Sequence, residues 1–173
     1  MKVAITGHTK GIGKAIADLY PEHIGFSRSN GYDITNEADR TRILSETEDC
    51  DVFINNAWDV NAQTEMYKNQ FEKWKADKNK TIVNINSRAK YLGGTDEEYY
   101  NSKIELFEED AKNMFVRECR IININPGFVM TETSKKDIEE LNMPYMSTQT
   151  CAEYVAWAIN QPMEIYELSF WKL

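Results

Sequence analysis

The stretch Val3-Ala4-Ile5-Thr6-Gly7-His8-Thr9-Lys10-Gly11-Ile12-Gly13 decides how the rest of the chain is read. A short apolar run rich in β-branched residues enters a glycine cluster. Ile12, Ala15, Ile16 and Leu19 then recur at helical spacing, so the pattern is strand, tight turn, helix. Glycines at 7, 11 and 13 let the backbone turn sharply and approach a ligand closely. The helix behind them presents unpaired N–H groups and the positive end of its dipole, which suits a pyrophosphate.

The same alternation continues outward. Apolar runs at Ile24 to Ser27, Val52 to Asn55, Thr81 to Ile85, Arg120 to Ile124 and Ile165 to Phe170 are nearly continuous, as strands covered on both faces should be. Between them, Ile104, Phe107, Ala111 and Phe115 fall on one helical face, and Ala152, Val155, Ala156 and Ile159 on another, with Ser147 or Thr150 as its N-cap. Strand and helix repeated in this way predict an α/β fold, a Rossmann-like doubly wound parallel sheet, in one domain over 1–173. Glu132 to Glu140 reads as a solvated loop or short helix.

With 173 residues, 42% of them hydrophobic, the chain can build one core. A net charge of -8 disfavours nucleic acid and anionic membrane as partners. Three cysteines, none in a Cys-x-x-Cys, argue against a disulfide framework or zinc ribbon, and two histidines exclude a His-rich metal site. No stretch approaches the roughly 20 apolar residues of a membrane span, and the N-terminus does not read as a signal peptide. A soluble, cytoplasmic protein is expected, with no metal implied.

Tyr99-Tyr100-Asn101-Ser102-Lys103 carries the chemistry. On a helix, Tyr99 and Lys103 share a face. A free phenol, with a pKa of about 10, is a poor base near neutrality, and an adjacent ammonium favours its ionised form. Tyr99 can then pass a proton to or from a substrate oxygen.

Thr6-Gly7-x-x-x-Gly11-Ile12-Gly13 followed by Tyr99-x-x-x-Lys103 resembles the short-chain dehydrogenases/reductases over essentially the whole chain. The resemblance implies a catalytic set of Ser87, Tyr99 and Lys103 with Asn61. In it, Ser87 orients the substrate oxygen and Asn61 holds a water linking the lysine to solvent. It implies that Gly7, Thr9, Lys10, Gly11, Ile12 and Gly13 cradle a dinucleotide, and that Asp33 and Ile34 meet its adenine. Asn55, Asn56 and Ala57 would flank it, and Tyr99 and Lys103 would contact its ribose. Pro126, Gly127, Val129 and Thr131 would hold its carboxamide. NAD-preferring members end the second strand with an acid; here Ser27 and Arg28 stand there. With Lys10 they suit the 2′-phosphate of NADP(H).

The chain departs from the family pattern in three places. Trp58 follows Asn55-Asn56-Ala57 where a glycine is usual, and helices look excised between Arg28 and Asp33 and between Ala57 and Asn61. Gly31 to Thr35 is then a short edge piece or a loop. The expected activity is hydride transfer between nicotinamide and a carbonyl or alcohol carbon of a small substrate. The alternative is an NADP(H)-binding sensor or scaffold without turnover. Met66, Phe71 and Trp74 on one helix, with Tyr100, Ile104, Phe107 and Phe115 on another, point to a homodimer.

Overall fold

The computed structural model of the protein describes residues 1–92 and 96–173. Six strands, β1 (Val3–Thr6), β2 (Ile24–Phe26), β3 (Val52–Asn55), β4 (Thr81–Ile85), β5 (Arg120–Pro126) and β6 (Glu167–Phe170), form one sheet in the order β2-β1-β3-β4-β5-β6. All five pairings are parallel. Seven helices are described: α1 (Gly11–Leu19), α2 (Glu37–Glu46), α3 (Ala62–Trp74), α4 (Ala89–Leu92), α5 (Glu97–Lys112), α6 (Lys135–Leu141) and α7 (Thr148–Ile159).

Strand alternation divides the core. Val3, Ile5, Val52, Ile54, Val83, Ile85, Ile122 and Ile124 point to one face and meet Ala15 and Ile16 of α1 and Val155 and Ile159 of α7. Ala4, Phe53, Ile82 and Ile121 point to the other and meet Ile43 of α2, Met66, Phe71 and Trp74 of α3, and Leu106 of α5. Because both faces are covered, the strands carry nearly continuous apolar runs, as read from the sequence, interrupted in β4 and β5 by buried asparagines.

Some expectations change. Gly31 to Thr35 is loop, entered through a 3-10 turn at Arg28–Asn30. The crossover from β2 to β3 is made instead by α2, whose cap Asn36 accepts from the N–H groups of Ala38 and Asp39. Its only fully buried side chain is Ile43, so no hydrophobic stripe announced it; the cap and the acids Glu37 and Asp39 in its first turn were the available signal. On α5 the buried stripe is Ser102, Lys103, Leu106 and Asp110. Ile104 and Phe107 are half-buried, Ala111 is exposed, and Phe115 lies beyond the helix in solvent. The sheet edge beneath α5 is lined by asparagines, which is why a polar stripe faces inward. Met66, Phe71 and Trp74 are buried in the chain's own core and supply no dimer surface. Ser147 caps α7, accepting from the Thr150 N–H.

Candidate active site

Parallel strands bring the C-terminal ends of β1, β3, β4 and β5 to one edge of the sheet, where a ligand site of this architecture forms. The glycine turn leaves β1 there. The Thr6 hydroxyl accepts from the N–H groups of Asn56 and Ala57, and the Asn56 side-chain amide donates to the carbonyls of Thr6 and Gly7 at 3.0 and 3.2 Å. A Cβ on Gly13 would sit 2.2 Å from the Gly7 carbonyl oxygen, so only glycine lets α1 start this close to β1. Lys10, Gly11 and Ile12 on one side and Thr131, Glu132 and Thr133 on the other enclose a cleft of about 200 Å³ with Asn56 at its base.

Thr9 and Lys10 are exposed at the turn, and Lys10 Nζ lies 3.7 Å from a Glu132 carboxylate oxygen. Arg28 is exposed at the end of β2, but Ser27 is not offered beside it. The Ser27 hydroxyl is committed to Asn30 Oδ1 at 3.0 Å and Ser29 Oγ at 2.8 Å, within the 3-10 turn that follows β2. Asp33 Oδ1 accepts from the Thr35 N–H and hydroxyl, which hold its carboxyl below the usual range. Ile34 packs in the core with Phe26 and Ile43, so its side chain is not part of a ligand surface. Asn55 is likewise internal, donating to Gln63 O and Asn84 Oδ1. Pro126 and Val129 are buried; Gly127 donates to Phe170 O and lies against Trp171. Thr131 faces Gly11 across the cleft while its hydroxyl bonds Ser134 Oγ at 2.9 Å.

Tyr99, Lys103 and Ser87 come together. Asp96 caps α5 by accepting from the Tyr99 N–H, and Asn86 at the end of β4 donates to Lys103 O, fixing α5 over the sheet edge. Lys103 Nζ lies 5.3 Å from the centre of the Tyr99 ring. Burial pushes the Tyr99 phenol up, the neighbouring Ser87 hydroxyl opposes this, and Asp96 adds to it. Lys103 is 3% exposed, and burial pulls it down to about 7. Burial therefore works against the charge on the ammonium expected to favour a phenolate, and the acceptors bonded to Nζ are neutral, Gln63 Oε1 and Ile85 O.

Asn61 does not join this group. It precedes α3 with its side chain exposed and forms no side-chain cap. Gln63, two residues on, turns inward instead: its Oε1 accepts from Lys103 Nζ at 2.7 Å. Trp58, which stands where the family pattern has glycine, lies against this group. Its indole meets the Tyr99 ring edge-on at 5.2 Å and donates to Ser102 Oγ at 2.9 Å.

No protein-family profile matches the chain, and no curated protein is similar to it in sequence. Solved structures are similar in shape. A glucose/ribitol dehydrogenase of the short-chain dehydrogenase/reductase class from Brucella melitensis shares 14% identity at a TM-score of 0.78, covering 98% of this chain and 94% of its own. A serine dehydrogenase complexed with NADP+ shares 17% at 0.80, covering 98% and 94%. A 3-alpha-hydroxysteroid dehydrogenase from Pseudomonas sp. B-0831, complexed with NADH, shares 15% at 0.78, covering 99% and 95%. The fold is that of the short-chain dehydrogenases/reductases. The sheet has six strands, the glycine turn joins β1 to α1, and Ser87 lies two residues beyond β4. Among the described residues no helix is long and apolar enough to cross a membrane, and no cluster of three or more metal-ligating side chains occurs.

Proposed function

We propose that this protein is an NADP(H)-dependent oxidoreductase, one domain over 1–173, acting in the cytoplasm on a small carbonyl or alcohol substrate. The observation that carries the reading is the convergence of Ser87, Tyr99 and Lys103 at the sheet edge that the glycine turn also reaches. The turn fits a dinucleotide: its glycines allow close approach, and its cleft is flanked by Lys10 and Thr131. Arg28, exposed with no acid at the end of β2, fits a 2′-phosphate, and solved neighbours carry NADP+ or NADPH.

When bound, the nicotinamide supplies or accepts the hydride. Ser87 donates to the substrate oxygen, and Tyr99 gives that oxygen its proton in reduction and takes it in oxidation. Lys103 tunes Tyr99 from beneath the ring; buried against Gln63 and Ile85 O, it does not face the ribose that the family resemblance assigns to it. Trp58 forms a half-exposed wall beside Tyr99. With a short segment from Gly127 to α7, the site stays open to water.

Incubation with NADPH and a panel of aldehydes and ketones, followed by loss of reduced-nicotinamide absorbance, tests the reading. Turnover is expected with at least one carbonyl; NADPH binding without oxidation across the panel defeats it. NADPH should bind about tenfold tighter than NADH, a difference of about 1.4 kcal/mol, and Arg28→Asp should erase the preference.

A further inference from the structure

Lys103 is held by Gln63, two residues beyond Asn61. Gln63 is 2% exposed on the first turn of α3. Its side-chain N–H groups donate to Asn55 O at 2.9 Å and Ile85 O at 3.0 Å. Those two carbonyls fix the amide: turning it over would set an oxygen against both. Oε1 must then face Lys103 Nζ, 2.7 Å away, while Nζ also donates to Ile85 O at 3.2 Å. Asn55 returns a bond from its own amide to Gln63 O, so the backbone of this turn is pinned too. The lysine thus has two neutral, immobile acceptors and one place to sit.

We propose that Gln63 is the positioning residue of the site, holding Lys103 under the Tyr99 ring by direct contact and setting how readily Tyr99 exchanges its proton. The role assigned to Gln63 in proton exchange rests on the reductase reading above; its hold on Lys103 does not. A neutral acceptor lets the ammonium lose its proton near neutrality, where a carboxylate would keep it charged. Around Nζ, β4 offers the Ile85 carbonyl, α3 offers Gln63, and α5 offers Tyr99. Tyr99 is the titratable group among them.

Lysine 13Cε NMR titration of the whole chain, without cofactor or substrate, reads Lys103 directly; its signal is the one lost in Lys103→Met. In Gln63→Met the midpoint should fall by about half a pH unit or more, since the charged form loses an acceptor. In Gln63→Glu it should rise by about one unit or more, the new carboxylate facing the ammonium. The second glutamate oxygen meets Asn55 O and Ile85 O, so that variant should also melt lower, and either variant that folds suffices. In turnover, Gln63→Met should lower kcat about tenfold with KM nearly unchanged, and the pH profile should move with the NMR midpoint. A lowered melting temperature with an unmoved Lys103 midpoint overturns the proposal and leaves Gln63 a packing residue. Moved midpoints in a chain that reduces no carbonyl would sink the reductase reading and keep Gln63's hold on Lys103.

Discussion

At the scale of single residues, two side chains carry consequences beyond the site. Lys103 is depressed to about 7 in the folded chain and is near 10.5 when unfolded. Between those values the unfolded chain binds one more proton, so stability rises with pH across that window by about 1.4 kcal/mol per unit. Below pH 7 both forms are protonated and the burial penalty is fully present. Lys103→Met lacks this dependence. Urea melts at pH 7.5 and 9.5 should therefore show the wild type gaining on the variant at the higher pH; parallel changes would mean that Lys103 does not titrate there. Trp58 is the other. Trp58→Phe keeps the ring against Tyr99 and loses the bond to Ser102, so kcat should change by less than about threefold. Trp58→Ala removes both and should lower kcat about tenfold, in line with the 0.5–1.5 kcal/mol of an aromatic pair. Equal kcat in the two variants would show that the ring contact is idle. Tyr99→Phe should abolish turnover with cofactor affinity kept, and Tyr100→Phe should be mild; equal losses would put the proton at the wrong tyrosine.

At the scale of elements, β3, β4 and β5 place Asn55, Asn84 and Asn123 side by side in register. Their amides run as a ladder: Asn55 to Asn84 at 3.1 Å, Asn84 to Asn123 at 3.3 Å, Asn123 to Asp110 of α5 at 2.6 Å, with Tyr67 of α3 donating to the same carboxylate at 2.9 Å. The ladder joins α3 to α5 through the sheet, and Gln63 is anchored at its β3 end. Asn84→Leu would break it in the middle, leaving Asn123 Oδ1 unpaired in a dry interior. A loss of about 1–3 kcal/mol in urea denaturation is expected; an unchanged midpoint would show that the ladder is slack.

At the scale of the whole molecule, the outward residues of α3 and α5 are charged: Glu65, Lys68 and Glu72 on one, Glu105, Glu108 and Lys112 on the other. Of the apolar residues that point to a homodimer in the sequence, Met66, Phe71 and Trp74 are inside, Tyr100, Ile104 and Phe107 are half-buried, and Phe115 is exposed beyond α5. Exposed apolar surface lies elsewhere, at Phe115 and Val116 and at Trp157, Met163 and Trp171. Light scattering should find the same mass for the wild type and for Glu108→Lys on the exposed face of α5. A halved mass in the variant would restore the helix-paired dimer.

The sheet can be read from the order of residues alone. Its strands are nearly continuous apolar runs, and burial on both faces is a property each run displays alone, so Val3–Thr6, Val52–Asn55 and Thr81–Ile85 are legible to the residue. The glycine turn was legible because its residues are neighbours in the chain. The pair Tyr99 and Lys103 was legible because one helical turn separates them. Tertiary structure decided what depends on contacts between distant segments. Ser27 and Ile34 turn inward because the chain between β2 and α2 is folded over them. Asn61 gives way to Gln63 because α3 begins at Ala62, and the direction in which its first turn faces the sheet cannot be read from residue spacing across an excision. The lowered affinity of Lys103 for its proton follows from burial beside neutral acceptors on β4 and α3, and burial of that kind exists only once those elements have packed.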